Sequence, residues 1–62
     1  MLTTKQVARK VALKIDSTAD RYDQIWAIKQ EYVNAGQSLL ATDRETIDRV
    51  LEILYHDYAF CG

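Results

Sequence analysis

Three stretches of this chain place apolar side chains with the period of a helix. In the first, Val7, Ala8, Val11, Ala12 and Ile15 recur at i, i+4, i+8 spacing and make a narrow stripe of small volume. The third carries Ile47, Val50, Leu51, Leu54 and Tyr58 on one side. Asp48, Arg49, Glu52 and His56 stand opposite, with Ile53 and Tyr55 at the two margins. Between them lies the longest periodic run, Ser17 to Gly36. There Ala19, Tyr22, Ile25, Trp26, Ile28, Tyr32, Val33 and Ala35 fall together, against Asp20, Asp23, Gln24, Gln30, Glu31 and Asn34. That apolar arc spans roughly 200°, about twice what covering a single core face requires. The run therefore predicts a central helix that touches two neighbours, or one neighbour and something else.

Capping chemistry sets the ends. Thr3 and Gln6 match the box in which a hydroxyl and an amide each satisfy an orphan backbone N–H at a helix start; Thr42 and Glu45 repeat it, with Asp43 adding charge to the first turn. Ser17 followed by Asp20 is a near-match, and Gly36 suits a left-handed terminator. The prediction is an all-α, small three-helix bundle with helices over 4–15, 18–35 and 43–60, the long second and third helices antiparallel. Leu39 and Leu40, in the link, are expected to plug the bundle end. Pro is absent and only two Gly occur, which fits helices joined by short turns, and no period-2 alternation calls for strands.

At 62 residues the chain is predicted to form one domain spanning 1–62, close to the size at which a single core is only marginally sufficient. Neither a signal peptide nor a membrane-spanning run is legible, and the single Cys61 offers no internal disulfide; both suggest the cytoplasm. A net charge of −1 hides an asymmetry. Lys5, Arg9, Lys10 and Lys14 give the first fifteen residues +4, and the remainder is acidic.

Candidate chemistry is sparse. His56 adjoins Asp57, but neighbours on a helix point about 100° apart, so Asp57 cannot orient the ring as a catalytic triad demands. Asp16, Asp20 and Asp23 cluster around one helix start, where capping accounts for them without metal, and they lack the spacing of a calcium loop. No phosphate loop or zinc signature occurs. The chain therefore reads as a non-enzyme with no cofactor and no metal site. Association is the remaining class, because aromatic side chains bury much area with few rotamers to freeze. Trp26, Tyr22, Lys29, Ile53, Tyr55, Phe60 and Leu13 are the candidate contacts, to another protein or to a second copy in a homo-oligomer, as in a small regulatory protein. The alternative is a DNA-binding regulator whose basic first helix presents Lys5, Arg9, Lys10 and Lys14 to phosphates.

Overall fold

The computed structural model describes residues 2–37 and 44–61. It contains three helices, α1 (Thr4–Lys14), α2 (Arg21–Asn34) and α3 (Arg44–Tyr58), and no strand among the described residues. The all-α bundle expected from the sequence is thus what the chain forms, with shorter helices.

The ends of α1 and α2 are set by caps and turns. Thr3 and Gln6 form the expected box: the Thr3 Oγ1 accepts the Gln6 N–H at 3.2 Å and the Gln6 Oε1 accepts the Thr3 N–H at 2.9 Å. Ile15, expected as the last helical residue, is instead extended and caps the end of α1. α2 starts at Arg21, not at residue 18. The carboxylate of Asp16 accepts the Thr18 N–H at 3.0 Å and its carbonyl accepts from Ala19 at 2.9 Å, which holds 16–19 as a turn. Asp20 then caps α2 by accepting the Asp23 N–H at 2.9 Å, the role expected of Ser17. At the other end Gly36 adopts φ +84°, its N–H bonds to the Val33 carbonyl and the Gln37 N–H to the Tyr32 carbonyl, each at 2.9 Å. Those two bonds are a Schellman motif, and they satisfy carbonyls the helix leaves orphaned. Thr42 of the expected Thr42–Glu45 box, Asp43, Leu39 and Leu40 lie outside the described residues, while Glu45 stands in the first turn of α3.

The core draws on all three helices and the tail: Val7, Ala8 and Val11 from α1, Ala27, Ile28 and Tyr32 from α2, Ile47, Val50 and Leu54 from α3, and Phe60. Full burial of a Val, Leu or Ile side chain stabilises by roughly 1.5–3 kcal/mol. The shortest helix holds the middle. α1 packs most extensively on α3 and next on α2, and α2 with α3 is the smallest of the three contacts. α2 is therefore not the central helix that its wide arc suggests. The cause is side-chain size, since Val, Ala and Val on α1 let both neighbours approach closely. Within α3, Leu51 is half-buried and Tyr58 lies exposed at the last turn, so the expected core stripe is narrower than five residues.

The chain reverses after α3. Ala59 takes φ +57°, a left-handed conformation, and the Phe60 N–H then reaches back to the Leu54 carbonyl at 3.0 Å. α3 ends at Tyr58 in consequence, not at residue 60, and Phe60 turns inward to 4% exposure.

Candidate docking face on the second helix

α2 is rotated about its axis relative to the face its apolar residues outline. Gln24 and Glu31, expected opposite the core, are buried; Tyr22, Trp26 and Val33, expected on the apolar side, are exposed. Partners supplied by other elements make this orientation possible. The Gln24 Nε2, in a residue 2% exposed, donates to the Ala19 carbonyl at 2.8 Å and to the Cys61 carbonyl at 3.0 Å. Cys61 itself donates its N–H to the Ser17 carbonyl at 3.1 Å. Glu31 pairs through Oε2 with the Nζ of Lys14 on α1. A buried amide and a buried carboxylate cost little when so paired and a good deal when not.

Turning those two side chains inward turns four others out. Tyr22, Trp26, Lys29 and Val33 follow one another at i, i+4, i+7 and i+11, a spacing that stacks them along a single side of the helix. At 100° per residue this stripe points about 160° away from the direction shared by Gln24, Ile28 and Glu31. Tyr22 is 81% exposed and Trp26 60%. A shallow hollow of about 160 Å³ separates Tyr22, Ile25, Trp26 and Lys29. On the flank facing α1, a larger groove of about 600 Å³ runs past Trp26 and Ala27, with Lys14, Asp16, Asp23 and Glu31 on its polar borders. Backbone and side-chain hydrogen bonds from Thr18 hold the Asp16 carboxyl below its ordinary value of 3.8. Burial opposes this shift, while contacts from Ser17 add to it.

The other candidate residues are scattered. Tyr55 is 56% exposed on α3 and meets His56 edge to face, with ring centroids 5.1 Å apart. His56 Nε2 stands 4.0 Å from a Glu52 carboxylate oxygen, both at the surface. Ile53 is half-buried against the core, and Phe60, expected among the surface anchors, belongs to the interior. Leu13 is exposed on α1, remote in the sequence pattern from the α2 stripe. Among the cations expected to meet phosphate, Lys5, Arg9 and Lys10 are exposed, whereas Lys14 is engaged by Glu31. Asp16 and Asp20 serve the turn and the cap. Among the described residues no group of three or more His, Cys, Asp or Glu is placed to hold a metal ion, and no helix is long and apolar enough to cross a membrane.

Periodicity alone misses Gln24 and Glu31, the residues that decide how α2 is turned. Their only trace in the sequence is the spacing Gln24, Ala27, Ile28, Glu31, which is that of a buried helical seam with polar residues at its two ends. What the fold and this face define is a small helical bundle with an aromatic stripe on its outer side. Comparison with protein-family models, with curated proteins and with solved structures found no match.

Proposed function

We propose that the chain is a non-catalytic interaction protein that docks the outer face of α2 on another protein or on a second copy of itself. The supporting observation is the rotation of α2. A helix that buries a Gln and a Glu while leaving Trp26 and Tyr22 outside keeps its largest anchors available for a contact beyond the chain's own core. A scattered exposed apolar residue is ordinary on any surface, but Tyr22, Trp26 and Val33 stand in helical register on one side of α2, with Lys29 between them. Its effect on a partner is regulatory by occupancy, since the stripe has binding groups and no reactive ones. α1 offers a weaker alternative as a DNA-binding surface, because one of its four cations is already neutralised.

Sedimentation analysis and cross-linking in the producing cell, on the full chain, test this reading. The expected result is a dimer or a stoichiometric complex that Trp26→Ala weakens by more than ~1 kcal/mol while circular dichroism stays helical. Association that survives both Trp26→Ala and Tyr22→Ala overturns it, as does a monomer that captures nothing.

A further inference from the structure

The geometry points to an arginine of the docking partner as the occupant of the groove between α1 and α2 beside Trp26. This deepens the docking reading and rests on it. Trp26 contributes to both the outer stripe and the groove, so a partner lying along the stripe passes over the groove's mouth. The groove wall is mainly apolar, while its charged border is acidic. Glu31 is already neutralised by Lys14, which leaves Asp16 and Asp23 with no ion pair among the described residues. Two carboxylates without a cation, the Asp16 group accepting hydrogen bonds from Thr18 and Ser17 only through Oδ1, share the groove with a part-exposed indole and are complementary to a cation that is flat, weakly hydrated and able to stack. A guanidinium meets all three conditions: it forks onto carboxylates and lies against aromatic faces more readily than an ammonium does. On the far side of Trp26 the stripe carries Lys29, a cation, so the two flanks have opposite sign. A partner segment is therefore oriented as well as held, with its basic side over the groove and its neutral or acidic side over Lys29.

The test uses the full-length chain and two capped tripeptides, alanyl-arginyl-alanine amide and its citrulline counterpart, which has nearly the same shape without charge. Binding is followed through the Trp26 indole N–H and the backbone amides of Asp16 and Asp23 by NMR. The arginine tripeptide is expected to shift these resonances saturably and about fivefold more tightly than the citrulline one, as two solvent-screened ion pairs allow. D16N/D23N, which keeps the hydrogen-bond acceptors of the turn, is expected to remove that difference. Equal binding of the two tripeptides, or an undiminished preference in D16N/D23N, overturns the proposal. Its failure is separable from that of the docking reading: a partner or dimer lost in Trp26→Ala but retained by D16N/D23N sinks the arginine assignment alone. Association indifferent to Trp26 sinks the docking reading.

Discussion

Gln24 and Glu31 show how single side chains set the orientation of a helix. Each is polar and each is buried, and each is tied to a different segment: Gln24 to the turn before α2 and to the tail after α3, Glu31 to the last residue of α1. Gln24→Ala removes two hydrogen bonds and leaves the Ala19 and Cys61 carbonyls without that donor, so urea denaturation should show a loss of about 1–3 kcal/mol. Lys14→Met should cost on the order of 1–3 kcal/mol by the same measurement, because Glu31 would then be a buried carboxylate with no cation. Half-exposure of Lys14 keeps the figure below that of a fully buried pair. Replacing both partners, Lys14→Met with Glu31→Leu, should recover most of that loss, which separates an unpaired charge from lost packing.

The three helices differ in how much of their behaviour is local. α1 begins where its box says it should, and α2 stops where Gly36 permits a left-handed residue. Both ends were legible because a cap is chemistry within three or four residues. The start of α2 was not: Asp16, Ser17 and Asp20 are all competent caps, and the choice among them depends on the turn that brings Ser17 and Ala19 to the tail. Likewise the end of α3 has no Gly to announce the reversal at Ala59. That residue holds a left-handed φ of 57°, which costs an L-residue with a Cβ roughly 1–2 kcal/mol relative to glycine's freedom. Ala59→Gly should accordingly stabilise the protein by up to about 1 kcal/mol after the added unfolded-state entropy, a rise of about 4–8 °C in a thermal melt. No change, or a lower Tm, would mean that the tail is not held in this conformation.

Among the described residues, the interior takes its Val, Ile and Leu from all three helices, whereas Trp26 stays outside with Leu13 and Val33. Ten buried apolar side chains among the described residues make that interior, on a chain whose size leaves little surplus stability. Trp26 adds little to that interior, so Trp26→Ala should leave chemical denaturation unchanged within about 0.5 kcal/mol. The same substitution should abolish or weaken association, and a stability loss of several kcal/mol would show instead that Trp26 is structural. Being the only Trp, it also reports on itself. Its emission in the free protein should be that of a solvated indole, moving to shorter wavelength as a partner or a second copy covers it.

By itself the sequence determined that there are three helices, that the α1 and α3 stripes pack, and that the aromatic content exceeds what three narrow stripes employ. Those properties are periodic or short-range, and periodicity and capping can be read along one dimension. Only the tertiary structure decided which half of α2's broad apolar arc faces inward, that α1 sits between its neighbours, and that Phe60 fills the chain's own core. The orientation of α2 depends on groups far away in sequence, Lys14 for Glu31 and Cys61 for Gln24, while the inward turn of Phe60 rests on a left-handed Ala59 and the Leu54 carbonyl, for which no glycine signals the reversal. Where hydrophobicity leaves two orientations nearly equal, the one that satisfies the buried polar groups is the one adopted, and the aromatic stripe is left on the outside.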